Sequence, residues 1–409
     1  MKEIRIYGLI CAALGCMASL AAQPVPLLDS NTKVDWWFVF KFNSNTFPAS
    51  CAGAQRKCPF GGTAQPYKEF SQEFAFASSA HPQLQPGGSC VGTSDADPVG
   101  ATFGEIYNNS DLFYVVWNDQ FYRDPVLKCE GSKDTECGAP WGHSKGILAW
   151  DKNGNGVVMQ VSTPDWPGSG SSQNPRQTDG NTLGCTSGDN DIEVSQHFFA
   201  LKLNSSDVAT VLRALANASV VTDPANPQIV KNGGPPAIQA AVQDLGSEST
   251  SMKAMQAKLS SGVTLISKAS GLHVPPWQMV SSLLGGEPLR AATWWTTPEI
   301  YSTTASTSID CWDASLNTKP GAVQIAITGT WQGKEIGLKG EAPGGNHAKI
   351  GVSTGTHSYA IFGDMNQQGS LTACSSSQNG RGGLFFVVDN AQLHDSIRDL
   401  IEGQSAKVK

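Results

Sequence analysis

The chain has 409 residues, long enough for two or three domains and a sizeable core. Hydrophobic residues make up 40% and charged residues only 15%, which excludes a charge-rich disordered chain; 43 Gly and 23 Pro exclude a long helical bundle. A formal net charge of −7 argues against a protein whose whole surface holds polyanions, yet leaves room for a local cationic site that handles one phosphate.

Residues 1–22 read as a secretory signal: Lys2 and Arg5 precede an apolar run, and Ser19-Leu20-Ala21 suits small-x-small cleavage. The run is too short to span a bilayer and no other stretch approaches that length, so stable membrane insertion is not expected. Cys11 and Cys16 leave with the signal. The cysteines that remain are even in number, which fits disulfides in an exported chain. Cys51/Cys58 and Cys129/Cys137 could close short loops, and Cys311/Cys374 could staple the C-terminal part.

Residues 34–41 are aromatic-rich and β-branched and predict a strand. Residues 43–100 lack periodicity and predict long loops with one short ordered piece near 70–76. A second strand is expected at 112–117. Strands at 146–150 and 157–161 flank Asp151-Lys152-Asn153-Gly154-Asn155-Gly156, a hairpin turn signal. A strand at 197–203 leads into a helix capped by Ser205 or Ser206, with Val208, Val211, Leu212 and Leu215 on one face. Residues 223–236, rich in Pro, Gly and Asn, read as a linker, and 247–259 look helical. Strands follow at 263–267 and 290–296. Near the C-terminus a strand at 384–388 precedes a helix with Leu393, Ile397, Leu400 and Ile401 on one face and Gly403 as its stop.

The two ends of this list repeat each other. Upstream of each strand–helix unit stands an H-x-K tripeptide, His143-Ser144-Lys145 and then His347-Ala348-Lys349, and each opens a strand-turn-strand stretch. The order predicts an α/β fold with mixed sheets, built as two halves about a pseudo-twofold axis: a signal at 1–22, an N-terminal half at 23–222, a connection at 223–261 and a C-terminal half at 262–409. In a strand, residues i and i+2 share a face, so H-x-K presents an imidazole beside an ammonium. One such tripeptide is an ordinary strand face; two in equivalent places point to one site with two imidazoles and two ammonium groups around a tetrahedral anion. That set suits phosphodiester cleavage. The lysines neutralise oxygens, one neutral histidine attacks phosphorus, and the other histidine protonates the leaving oxygen. No metal or other cofactor is required. His81, His273, His357 and His394 lack comparable context, whereas His197, directly after Gln196, is a candidate for the rim of the site. Trp36, Trp37, Trp141 and Trp166 read as core packing before base stacking.

The chain resembles the deoxyribonuclease II family, a branch of the phospholipase D superfamily, in VDWWFVFKF at 34–42, WGHSKGILAWDKNGNGVVMQVSTPDWP at 141–167 and the blocks HAKIGVS, IFGDMNQQG and RGG within 347–383. SQHFFALKL at 195–203 and the pair Trp294-Trp295 fit more loosely. The resemblance implies two phospholipase D-like halves and an acid-active, metal-independent endodeoxyribonuclease that works through a phosphohistidine and leaves 3′-phosphate ends. It places catalysis on His143, Lys145, His347 and Lys349. It sets Asn366, in Gly363-Asp364-Met365-Asn366, where it would bond phosphate or position a histidine; Asp364, Gln196 and Arg381 join it as substrate-binding candidates. The superfamily adds an Asp shortly after each Lys; here Lys145 is followed by Asp151, inside the hairpin turn, and Lys349 by none before Asp364, which leaves open what orients each imidazole. Positive neighbours should disfavour imidazolium and move the working range below about pH 6.5. DNA is the expected partner; a homodimer is compatible with the sequence. The location would be exported: secreted, periplasmic or lysosome-like. The rival readings are a phosphodiesterase of lipid head groups and a secreted surface-binding protein without activity.

Overall fold

The computed structural model describes residues 23–48, 60, 72–92, 94–129, 136–176, 181, 183, 193–340 and 344–409. The signal at 1–22 and the pair Cys51/Cys58 lie outside the described residues.

Two large sheets carry the fold. The first contains β1 (Trp36–Lys41), β2 (Phe74–Ser78), β3 (Gln85–Pro86), β4 (Phe113–Asn118), β5 (Lys145–Trp150), β6 (Gly156–Val161), β7 (Gln196–Leu203) and β8 (Val230–Lys231). They are ordered β3-β2-β1-β7-β6-β5-β4-β8. The second contains β9 (Met255–Lys258), β10 (Thr264–Lys268), β11 (Leu289–Ala292), β12 (Val323–Ile325), then after a small hairpin of β13 (Thr328–Trp331) and β14 (Lys334–Gly337), β15 (Ile350–Ser353), β16 (Tyr359–Gly363) and β17 (Gly383–Asp389). Its order is β12-β11-β15-β16-β17-β10-β9. The core of each sheet therefore runs the same way, β1-β7-β6-β5-β4 against β10-β17-β16-β15-β11, and the repeat read from the sequence is a repeat of topology.

Period-two alternation decides what each strand face meets. Along β17, Leu384, Phe386 and Val388 join the core cluster shared with the first sheet, whereas Phe385 and Val387 join a second cluster with Trp277 and Met279. Between the sheets Phe362 stacks on Phe38 with centroids 4.5 Å apart and on Phe199 at 4.6 Å. Such pairs add about 0.5–1.5 kcal/mol each beyond the area they bury. Trp36, Trp37 and Trp166 are buried in the core, and Trp141 is half-buried against it.

Five helices pack on the sheets: α1 (Pro98–Asn108), α2 (Ser205–Asn217), α3 (Pro236–Gln243), α4 (Pro276–Leu283) and α5 (Ala391–Leu400). The apolar faces of α2 and α5 join the same core cluster as Leu384, Phe386 and Val388. The cap of α2 is Asn204 and not Ser205 or Ser206. Its side chain accepts from the Asp207 amide while the Asp207 carboxylate reaches back, a capping box that Asn and Asp supply together. Residues 247–259 do not form a helix; 255–258 are β9, paired to β10. Helical propensity there yields to strand pairing at a sheet edge, and the helix lies earlier, opened by Pro236 at its first position. Disulfides join Cys129 to Cys137 and Cys311 to Cys374, and Cys90 is disulfide-bonded as well. Among the described residues no helix is long and apolar enough to cross a membrane.

Candidate active site

Each H-x-K stands at the mouth of an equivalent strand. His143 lies just before β5, whose first residue is Lys145, and His347 and Lys349 lie just before β15. The turn into each strand is held from the opposite half. The His143 amide donates to the Gly382 carbonyl at 2.8 Å, and the His347 amide donates to the Ser195 carbonyl at 2.7 Å. Ser195 and Gly382 immediately precede β7 and β17, so the two anchors correspond across the repeat. Both pairs open onto one cleft of about 560 Å³, lined among others by His143, Lys145, His347, Lys349 and Asn366.

The family model for deoxyribonuclease II matches residues 26–407. The chain belongs to the deoxyribonuclease II family. It is therefore a hydrolase of phosphodiester bonds, and the family's substrate is DNA. None of the curated proteins matches the chain. Among solved structures, yeast tyrosyl-DNA phosphodiesterase is similar at 8% identity and a TM-score of 0.34, covering 74% of this chain and 86% of that one. A histidine variant of the same yeast enzyme is similar at 8% identity and 0.35, covering 71% and 87%.

In this member of the family the two imidazoles have different partners. His143 Nδ1 lies 2.7 Å from the Asp364 carbonyl oxygen. A carbonyl only accepts, so Nδ1 carries the proton and Nε2 keeps a lone pair in the neutral ring. His347 Nδ1 lies 3.3 Å from Gln196 Nε2. The His197 backbone N–H donates to Ser162 Oγ at 2.8 Å, and the Ser162 hydroxyl donates to Gln196 Oε1. With Oε1 facing Ser162, Gln196 presents its amide N–H to His347 Nδ1, and in the neutral ring the proton sits on Nε2. The orienting Asp absent from the sequence pattern is replaced by a backbone carbonyl in one half and a glutamine in the other.

The lysines also differ. Lys145 Nζ donates to Asp119 Oδ1 at 2.5 Å, and Arg381 Nη2 donates to Asp119 Oδ2 at 2.9 Å. Lys349 Nζ donates to the His347 carbonyl at 2.5 Å. Burial alone would raise the Asp119 carboxyl; the charges of Lys145, His143 and Arg381 overcome it and hold the group well below its ordinary value. His143 is held well below 6.5 by burial first and then by Lys145. His347 is held low by burial, then by Lys349 and Lys145.

The four substrate-binding candidates all gather here, in different postures. Asn366 lines the cleft; its Nδ2 donates to Gln368 Oε1 at 2.9 Å, and its Oδ1 is buried without a partner. Gln196 is buried behind His347. Asp364 is buried, its Oδ2 accepting from Ser144 Oγ at 2.5 Å and the Leu384 amide at 3.0 Å. Burial pushes its carboxyl up to about 7 in spite of those bonds. Arg381 borders the cleft, and besides Asp119 its guanidinium donates to the carbonyls of Cys137, Trp141 and Gly142. That ties it to the chain leading into the first motif. His197, expected at the rim, is fully buried instead, because it occupies an inward position of β7 opposite Phe40.

Sequence reasoning passed over Asp119 and Ser162, and Trp294 entered only as half of a loosely fitting pair. Trp294 packs edge-on against His347, ring centroids 4.1 Å apart. Asp119 follows the end of β4, where a charged residue directly after an apolar strand is a usable signal. Ser162 had none.

Proposed function

We propose that the protein is an exported, acid-active, metal-independent endodeoxyribonuclease that cuts DNA through a phosphohistidine and leaves 3′-phosphate ends. The two halves, 23–222 and 262–409, each supply one motif, and residues 1–22 serve as the export signal; the disulfides fit that route. The observation that carries the reading is the opening of both H-x-K pairs onto one cleft.

His143, with its lone pair on Nε2, is the nucleophile: a P–N bond forms as the bond to the 5′-oxygen breaks. His347, as the imidazolium present in acid, gives a proton to that oxygen, which leaves as a hydroxyl, and the ring becomes neutral. His347 then takes a proton from water, whose oxygen attacks phosphorus as the P–N bond breaks, releasing the 3′-phosphate. Lys145 and Lys349 border the same cleft and supply positive charge to the non-bridging oxygens, a contribution of about 10²–10³ in rate for each donor removed.

The test uses bis-nitrophenyl phosphate, plasmid DNA and phosphatidylcholine in EDTA at pH 5. Cleavage of the first two alone, abolished on DNA by His143→Ala and by His347→Ala, is expected. Nitrophenolate leaves without an acid, so His347→Ala should accumulate a covalent phosphoryl adduct and His143→Ala none. An adduct in His143→Ala, or choline release exceeding DNA cleavage, would overturn the assignment.

A further inference from the structure

One ionisable side chain beside the site has no part in that chemistry. His197, the second residue of β7, is fully buried. Its Nδ1 lies 3.1 Å from the backbone nitrogen of Lys349. A backbone N–H only donates, so Nδ1 must keep its lone pair and Nε2, buried without a hydrogen-bond partner, carries the proton. Burial and then the Lys349 charge hold this ring well below its ordinary pKa, which keeps it a neutral acceptor.

The bond completes a pattern. Ser195, Gln196 and His197 meet the second motif at successive points: the Ser195 carbonyl takes the His347 amide, the Gln196 amide meets His347 Nδ1, and His197 Nδ1 takes the Lys349 amide. The corresponding residues of the other half are Gly382, Gly383 and Leu384, since Lys41 pairs with Gln196 as Lys268 pairs with Gly383. Gly382 provides the same carbonyl anchor, but the Leu384 side chain has no acceptor to offer. An aliphatic residue would fill a strand-core position with no polar group to satisfy. The imidazole is the one feature of the position that reaches Lys349.

We propose that His197 is a positioning residue: by accepting the Lys349 N–H it fixes the backbone from which the Lys349 side chain reaches the scissile phosphate. The inference rests on the reading that His347 and Lys349 act on a phosphodiester. Two variants separate acceptor from bulk. His197→Asn can place Oδ1 where Nδ1 stood; His197→Leu fills the core and accepts nothing. On DNA at pH 5, His197→Leu should lose about 10- to 100-fold in kcat with little change in KM, the cost of a displaced catalytic group, and His197→Asn should recover most of it. Hydrogen exchange at the Lys349 amide should be slow in the wild type and His197→Asn and fast in His197→Leu. In the unmodified protein, ¹⁵N shifts should report an unprotonated Nδ1 and a protonated Nε2. Full activity in His197→Leu, an equal loss in both variants, unchanged amide exchange, or a protonated Nδ1 each overturns the proposal. If the wild type cleaves no phosphodiester, the parent reading falls, while the exchange and ¹⁵N results still decide the bond.

Discussion

Ser195 and Gly382 do the same job in opposite halves: the carbonyl of Ser195 receives the amide of His347, and the carbonyl of Gly382 receives the amide of His143. Each motif is thus registered by the half that does not encode it. The cleft is a product of the packing between sheets, and geometry at either anchor should be felt at both imidazoles.

Gly382 tests this directly. A Cβ built there would sit 2.1 Å from the Ala218 carbonyl oxygen, a backbone atom that cannot step aside cheaply. Gly382→Ala should cost about 1–3 kcal/mol in stability by overpacking and about 10- to 100-fold in kcat by shifting His143. Thermal melts and steady-state kinetics on DNA read the two effects. Wild-type kcat in a folded Gly382→Ala protein would remove the anchor from the account.

Both imidazoles are depressed, chiefly by burial and then by the neighbouring lysines. The protonated acid is present below the lowered pKa and lost above it, so kcat should fall as pH rises, beginning under about 6.5. Gln196→Glu places a carboxylate at His347 Nδ1 and favours imidazolium. The basic limb of the profile should move upward by about one unit. Gln196→Leu should leave the ring free to choose its tautomer and lower kcat at least about 10-fold. A basic limb that stays put in Gln196→Glu would mean that His347 does not set it.

Asp364 should make the protein more stable in acid. Its folded-state pKa of about 7 lies above the ordinary 3.8. The stabilisation is therefore complete below 3.8 and disappears as pH rises through 7, roughly 2–3 kcal/mol between pH 5 and 8. Asp364→Asn keeps an acceptor for Ser144 and Leu384 and should flatten that slope in denaturant titrations at the two pH values. An unchanged slope would assign the pH dependence elsewhere.

Asp119 runs the other way. Its depressed carboxyl stabilises the fold above the ordinary carboxylate range and is lost only as pH falls through the lowered value, so the Asp119–Lys145–Arg381 cluster survives at pH 4–5. Asp119→Asn strands two buried cations and should cost about 3–5 kcal/mol. Chemical denaturation at pH 5 checks this; a loss under about 1 kcal/mol, the scale of an exposed pair, would show that water screens the cluster.

Much of this was legible in the chain. The two H-x-K tripeptides stood out through their place in a repeated unit, and the shared sheet order explains why that repeat carries meaning. The strand at 36–41 was readable because its aromatic and β-branched residues suit a doubly buried strand. The supporting residues were less visible. Asp119 and Arg381 stand 26 and 236 residues from Lys145, too far for spacing to connect them, although the fold places both at one carboxylate. His197 read as a rim residue and Gln196 as a substrate binder because local sequence does not say which end of a central strand faces the partner sheet. The helix expected at 247–259 failed because a short polar segment with helical propensity was claimed by an unpaired sheet edge.

The stacked rings of Phe38, Phe362 and Phe199 carry a further consequence. Whatever doubling first produced the two portions, neither could now be set free as a self-sufficient unit. A severed fragment would bare a row of aromatic side chains to water and carry a histidine turn whose carbonyl anchor had gone with the other piece. Such fragments would be sticky and inert apart, and would regain shape only by finding each other.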